Sequence, residues 1–447
     1  MPLPASAPSY IIHTSGTTGA PKGIQRDIGG YAVALQYSMR EVYKVPQGAA
    51  WLGLSDIGWL VGHSFIVYGP LITGNPSIMI EGKPMIPDAG VLWRTMAKHK
   101  VHSCFVAPTA LRAIKKLDPA LNLRPPLMTD TATKAGESHP TVDASVTPLT
   151  LQQMFLAGER ADADTLRWVR AGFPGVAVRD HYWATEFGWP AIVNAEKVAP
   201  EGSAGFPVAG YDFYVVDDEG KAVPENVPGN LVLRMPLPPG VMQTVYGDEA
   251  RYKKGYLEHF PGFFNTGDGA FRDQQGRFFI TGRTDDVFNT AGHRLTTSNI
   301  EEAAATASND VAELCCVGVP DVMGIKDEVP ALFVVMKSGQ VWSKDVEKAI
   351  VAAVRHEVGH IATPAYVLEV KRLPKTRSGK IVRKTIREIF TFVAAERGLG
   401  PLTTENPGTA GLGSMEKWVK VPATIEDAGV IPEMYDTLSA MQLFDRK

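Results

Sequence analysis

Between positions 10 and 23 the chain reads YIIHTSGTTGAPKG, an apolar strand-like run feeding a loop of Ser, Thr and Gly that closes on Lys22-Gly23. These are the residue types of a phosphate cradle. Gly16 and Gly19 let the backbone turn tightly and aim N–H groups at phosphate oxygens. Thr14, Ser15, Thr17 and Thr18 add hydroxyls, and Lys22 adds a point charge. The spacing is not G-x-x-x-x-G-K-[ST], so no Walker A fold is implied. On its own, such a cluster reads more simply as a plain loop.

A second string with chemical potential is HEVGH at 356–360, which matches the zinc-protease pattern H-E-x-x-H. That pattern requires both histidines on one face of a continuous helix. Gly359 is a helix-capping residue, so His360 is expected beyond the helix end and the metal reading is set aside. The run 371–387 holds eight basic residues and no acid, either a solvated face or a surface that meets phosphate.

Strands alternating with helices are expected to position these residues. PSIMI precedes a helical pattern over 91–98, followed by the buried-strand run HSCFVAP. QQMFLAG leads into a helix at 162–172, and VAVRDHYW follows, a rhythm that implies α/β layering. Residues 205–285 are richer in strand pattern, Gly and Pro and suggest a small β subdomain. After Asp285 an α+β unit is predicted: helix 299–307, strands 311–319 and 329–336, helix 344–358, strand 365–370 and a basic helix from 380. The Pro-, Thr- and Ser-rich stretch 118–148 reads as a long exposed loop, and the tail stretch LTTENPGTAGLGSMEKW as loop.

With 447 residues, 45% apolar and 21% charged, the chain has the composition of an ordinary globular protein of two to four domains. A net charge of −3 argues against a nucleic-acid partner held by counterion release. No stretch approaches the roughly 18 apolar residues of a spanning helix, so no membrane is expected as a partner. The N-terminus shows no targeting signal. Cys104, Cys315 and Cys316 form no CxxC, which suggests a reducing compartment, and Cys315-Cys316 read as core filler.

The full string TSGTTGAPKG resembles the signature loop of the adenylate-forming superfamily, which includes acyl-CoA synthetases, luciferases and peptide-synthetase adenylation domains. DHYWATEFGWP (180–190) resembles its aromatic-Thr-Glu motif. NTGDGAFRDQQGRFFITGRTDDVFNTAGHRLTTSNIE (265–301) resembles its ribose-binding and hinge region, and LPKTRSGKIVRK (373–384) its catalytic-lysine loop. Singly, Asp268 could cap a turn, Trp59 and Trp183 could be core, and Ser378-Gly379 an ordinary turn; the ordered set is what these readings leave unexplained. QRDIGGYAVAL, LSDIGWLVGHSFIVYGPL, TEFGWP and VPATIED resemble the propionyl-CoA synthetase branch of the short-chain acyl-CoA synthetases.

The resemblance implies a layered α/β large domain over 1–285, a mobile α+β domain over 286–400 carrying the catalytic lysine, and a tail over 401–447. It implies an acid–thiol ligase that joins propionate to ATP as acyl-AMP, releases pyrophosphate, and passes the acyl group to coenzyme A. Acetate:CoA ligase, a nucleotide-binding remnant without turnover, and an adenylating domain acting on a carrier protein are the competing readings. Thr14, Ser15, Gly16, Thr17, Thr18, Gly19 and Lys22 would cradle the β- and γ-phosphates. Thr185 would donate to the α-phosphate and Glu186 would hold Mg2+. Asp268 would accept from the ribose hydroxyls, Arg283 would reach ribose and phosphate, and Gly158, Glu159 and Arg160 would line the adenine. Lys380 would bridge acid and α-phosphate, which favours the phosphate-facing account of the run 371–387; Asn289 and Arg294 would contact phosphate, Arg355 would meet coenzyme A, and Asp285 would be the hinge. A protein acetyltransferase or deacylase acting on Lys380 is the implied protein partner.

Leu60, Val61, Ala157 and Trp183 map to the acyl pocket, with Trp183 as its end wall. Acetate-selective relatives typically carry Val and Thr where this chain has Ala157 and Val61. The room freed favours propionate over acetate, with butyrate or isobutyrate as the alternatives, each methylene being worth about 1 kcal/mol. Ala184 and Phe187 depart from the Gln and the Thr or Ser common in relatives. Full-length relatives carry a long segment ahead of the phosphate loop, so the N-terminal third is expected to be missing, with reduced stability and impaired coenzyme A turnover. Relatives occur in cytosol and mitochondrial matrix.

Overall fold

The computed structural model describes residues 2–14, 21–128, 147–158, 161, 163–194, 200–284, 287–290, 293–321, 328–376, 381–397, 414–419, 421–422 and 425–441. They divide into two compact units: the first takes in those up to 266 together with 270–280, the second 267–269 and those from 281 onward.

The first unit is organised by a seven-stranded sheet. Its spatial order is Ser77–Ile78, Ala50–Leu54, Val101–Val106, Gln153–Leu156, Ala177–Tyr182, Ile192–Val193 and Phe206–Pro207. The first four pairings are parallel and the last two antiparallel. Register places Cys104 beside Met154, Met154 beside Val178, and Phe105 beside Phe155. Because side chains alternate faces, Leu52, Cys104, Met154 and Leu156 pack with Trp93, Met96, Leu111, Ile114 and Val169 of three crossover helices. Trp51, Phe105 and Phe155 pack on the opposite side with Tyr31, Leu35 and Phe65. Both faces are covered, as a parallel sheet requires.

The crossover helices follow their sequence signals. Val91–Lys98 buries Leu92, Trp93, Met96 and Ala97 at helical spacing. Pro108–Leu117 starts on a proline, where the missing N–H is harmless, and buries Leu111 and Ile114. Ala163–Gly172 buries Leu166 and Val169. Two smaller sheets complete the pattern: Pro8–Thr14 with Lys22–Asp27 and Thr244–Val245, and Phe213–Val216 with Gly229–Arg234, Phe263–Arg272 and Phe278–Arg283. The second of these is the β-rich region read from the sequence.

In the second unit Val311–Pro320 pairs antiparallel with Glu328–Met336, which pairs parallel with Tyr366–Glu369. Helices Thr297–Ala305 and Lys344–Glu357 cover one face, and Arg383–Glu396 with Val430–Ala440 the other. Cys315 and Cys316 therefore point to opposite cores, both buried and free.

Two expectations change. The stretch from 118 is not wholly an exposed loop: Leu121 and Leu127 are buried, and the Asp118 carboxylate accepts from the N–H groups of Asn122 and Leu123. Capping by one carboxylate lets a polar, proline-rich segment settle against the core; 129–146 lie outside the described residues. The tail stretch read as loop contains the short helix Met415–Trp418, whose Trp418 packs against Phe392.

Candidate functional site

Three parallel strands deliver the residues predicted to form the acyl pocket beyond their carboxyl ends, where open α/β sheets bind ligands. Leu60 and Val61 follow Ala50–Leu54, Ala157 and Gly158 follow Gln153–Leu156, and Trp183 follows Ala177–Tyr182. Gly158 turns the chain with φ 103°, a left-handed conformation natural to glycine. Leu60 and Ala157 are buried, and Val61 and Trp183 pack against the same apolar cluster. The Trp183 ring meets Phe65 edge-on at 5.4 Å and Phe105 at 6.3 Å, and lies nearly parallel to His181 at 6.2 Å.

His181 was not singled out from the sequence, although it shares a strand face with Trp183. It is fully buried, with Nδ1 2.8 Å from the Leu156 carbonyl and Nε2 3.2 Å from the Tyr43 hydroxyl. Burial pulls its pKa down to about 3. The ring is neutral at pH 7, so Nδ1–H donates to the carbonyl and Nε2 accepts from Tyr43. It anchors the backbone one residue before Ala157.

Thr14 pairs with Lys22 across an antiparallel strand pair, at the two ends of the stretch predicted to cradle phosphate. The Thr14 hydroxyl is buried without a partner among the described residues. Lys22 Nζ donates to the Tyr256 hydroxyl at 2.6 Å, which donates to Glu186 Oε1 at 2.8 Å. Tyr256 is buried and stacks on Phe264 at 4.9 Å, so it is a rigid spacer between loop and carboxylate. The sequence gives no signal for it, since it lies 234 residues from Lys22. Thr185 and Glu186 sit in a tight turn in which Phe187 and Gly188 N–H groups return to the Ala184 carbonyl at 3.0 and 3.3 Å. Phe187, the departure noted above, fills the core between Tyr182, Tyr211, Phe213 and Phe264, which explains an aromatic there.

In the second unit, Arg283 Nη1 approaches Asp268 Oδ1 at 3.4 Å, with Asp268 nearly buried. Gly267 has φ 71°, and a Cβ there would lie 2.7 Å from Arg283 Nη2. Glycine is therefore required both for conformation and for the arginine's approach. Arg355, on Lys344–Glu357, donates from Nε to the Thr363 hydroxyl at 3.1 Å. It lines a cavity of about 720 Å³ with Lys348, His356 and His360. Gly359 has φ 109°, and His360 opens a separate 3-10 turn, so the HEVGH histidines do not share one helix.

The basic run is not a uniform phosphate-facing surface. Arg383 grips both Glu301 oxygens at 2.8 and 2.9 Å, Arg387 meets Glu328 at 2.5 Å, and Lys375 meets Glu313. Arg372 pairs with Asp427 and, at 3.1 Å, with Glu433. These partners lie far away in sequence, which is why the run looked unpaired. Among the predicted site residues, Ser15, Gly16, Thr17, Thr18, Gly19, Glu159, Arg160, Asp285 and Lys380 lie outside the described residues. Asn289 and Arg294 pair through their backbones across a hairpin.

Known proteins agree with this layout. Residues 1–246 match the AMP-binding enzyme family, and 300–380 match the AMP-binding enzyme C-terminal domain. A propionate--CoA ligase of Salmonella typhimurium is 42% identical over 413 residues, covering 90% of this chain and 61% of that protein. The mouse protein called acyl-CoA synthetase short-chain family member 3, mitochondrial, is 40% identical over 393 residues, 86% of this chain and 54% of its own. The chain thus spans 54–61% of the length of these curated relatives. A crystal structure of an anthranilate CoA ligase bound to anthranoyl-AMP superposes with a TM-score of 0.70 at 23% identity, covering 86% of this chain and 67% of that one. That agreement concerns the fold. With an extended family match over the strands and loops that carry Thr14, Lys22, Thr185 and Glu186, the chain belongs to the AMP-binding enzymes.

Proposed function

We propose that this chain is a short-chain acyl-CoA synthetase acting on propionate. The observation that carries the reading is a juxtaposition in the first unit. An apolar cluster that includes Leu60, Val61, Ala157 and Trp183 leads directly into a Thr185-Glu186 turn tied through Tyr256 to Lys22. A small apolar site for the acyl chain beside donors for phosphate suits a carboxylate that must meet the α-phosphorus of ATP.

A carboxylate oxygen attacks the α-phosphorus and pyrophosphate leaves, giving the acyl-adenylate. The coenzyme A thiol then loses its proton, its sulfur attacks the acyl carbon, and AMP departs. Neither step needs a protein nucleophile; position and charge do the work. The Thr14 and Thr185 hydroxyls would donate to phosphate oxygens, Lys22 and Lys380 would offset developing charge, and Asp268 and Arg283 would hold the ribose. Glu186 keeps one carboxylate oxygen engaged by Tyr256 and offers a hard oxygen donor, which fits Mg2+. When bound, that ion neutralises phosphate charge. The Arg355 cavity, with Lys348 beside it, would take the phosphates of coenzyme A. Asp285 would be the hinge between 1–285 and 286–400. Acylation of Lys380 would remove its charge and stop the first step.

No helix among the described residues is long and apolar enough to cross a membrane; cytosol or mitochondrial matrix is the proposed compartment. The test is product analysis with ATP, coenzyme A and propionate, acetate or butyrate. The expected result is AMP and propionyl-CoA in equal amounts, with propionate fastest. Faster turnover of acetate would make the protein an acetate:CoA ligase instead. Adenylate without thioester would confine it to the first half-reaction.

A further inference from the structure

Arg26 is fully buried, yet among the described residues no carboxylate pairs with it. Its Nη1 donates to the Tyr10 hydroxyl at 2.7 Å, and its Nη2 donates to the Thr185 carbonyl. The guanidinium carbon lies 5.5 and 5.3 Å from the ring centres of Tyr10 and Tyr31. Burial raises both phenol pKa values, so neither supplies a counter-charge.

The network continues in one direction. Tyr10 donates to Tyr31 at 2.9 Å, Tyr31 meets the Ser64 hydroxyl at 2.6 Å, and Ser64 donates to the Gly188 carbonyl at 2.8 Å. Since Ser64 spends its proton on Gly188, its oxygen accepts from Tyr31. One cation therefore polarises a relay of three hydroxyls. It grips the turn 185–188 at both ends, directly at the Thr185 carbonyl and through the relay at Gly188. Glu186 sits between the two grips, its own carbonyl accepting from Met242 N–H at 2.8 Å. The guanidinium also lies against Gly188, where a Cβ would come within 3.1 Å of it.

Packing alone does not account for this arrangement. A buried charge with no ionic partner among the described residues costs stability, and an apolar side chain of similar volume would fill the space without that cost. We propose that Arg26 is a positioning residue for adenylation, holding the 185–188 turn so that the Thr185 hydroxyl and Glu186 carboxylate are presented together. The proposal rests on the function given above for its rate effect, but not for its effect on the turn.

The test compares wild type with Arg26→Met and the near-isosteric Tyr31→Phe, which cuts the relay between Tyr10 and Ser64 and leaves the direct Arg26 bond to the Thr185 carbonyl in place. Three quantities are read: ATP–pyrophosphate exchange, thermal melting, and hydrogen exchange of the 182–189 backbone. Arg26→Met is expected to melt at or above the wild-type temperature, to lose about thirtyfold in kcat with carboxylate KM within about twofold, and to exchange faster in 182–189 alone. Tyr31→Phe is expected to lose about threefold to tenfold in kcat. If Arg26→Met fails to fold, Tyr31→Phe decides. Unchanged rates, or a lowered melt with faster exchange throughout the first unit, would overturn the proposal. If wild type shows no carboxylate-dependent exchange, the functional reading fails, and hydrogen exchange in 182–189 alone then decides whether Arg26 holds the turn.

Discussion

Arg26 in the first unit and Arg383 in the second use the same guanidinium in opposite ways. Arg383 grips Glu301 with two hydrogen bonds, and Glu301 also accepts from the Cys316 N–H at 2.7 Å, so one carboxylate ties a helix to a strand. Arg26 has carbonyl, hydroxyl and ring faces around it, and what it holds is the turn bearing Thr185 and Glu186. The first arrangement serves stability. The second accepts instability to fix a geometry, as functional sites often do.

The comparison can be broken most forcefully at Glu301. Glu301→Ala removes the carboxylate that both Arg383 and the Cys316 N–H use, at a mostly buried site. A loss of about 2–3 kcal/mol in urea unfolding of the second unit is expected. No loss would mean that its core, not the ion pair, sets its stability.

The next effect concerns His181, a buried ionisable group that is neutral where Arg26 is charged. Its folded pKa of about 3 lies below the ordinary histidine value, so the folded state binds fewer protons than the unfolded one in acid. Its stabilising contribution is complete above pH about 6.5 and is lost as pH falls toward 3, by up to about 1.4 kcal/mol per pH unit. Urea midpoints between pH 7 and 5 should fall in wild type and fall less steeply in His181→Asn.

A smaller effect is expected in the pocket. Ala157 is only 2% exposed and packs in the apolar cluster with Leu60 and Trp183, so Ala157→Val adds two methyl groups inside that cluster. The ratio of propionate to acetate kcat/KM should drop by about tenfold. An unchanged ratio would place the acyl chain elsewhere. The smallest effect belongs to the exposed pair Arg94–Asp88, at 2.8 Å with both side chains over 40% accessible. Arg94→Ala should leave the melting temperature unchanged, because solvent screens such pairs.

These contrasts also mark what the sequence could tell. Strand Val101–Val106 and helix Val91–Lys98 were legible because a buried strand is a continuous apolar run and a crossover helix has its own period. Thr14, Lys22, Thr185 and Glu186, which the first unit brings into one neighbourhood, stood in view as parts of ordered motifs. Tyr256 and His181 were not, because their roles arise from register and long-range packing that no local pattern encodes. Arg26 sat in view within QRDIGGY, but charged residues are rarely fully buried, so nothing in the string announced its position. The basic run misled for a related reason: Glu301, Glu313 and Glu328 meet it only after the sheet has formed.

The most direct measurement is propionate-dependent exchange of labelled pyrophosphate into ATP by this chain, with Lys380→Ala alongside. The account predicts exchange that favours propionate over acetate and falls by at least about a hundredfold in the lysine variant. A folded chain with no carboxylate-dependent exchange, or exchange indifferent to Lys380, would contradict it.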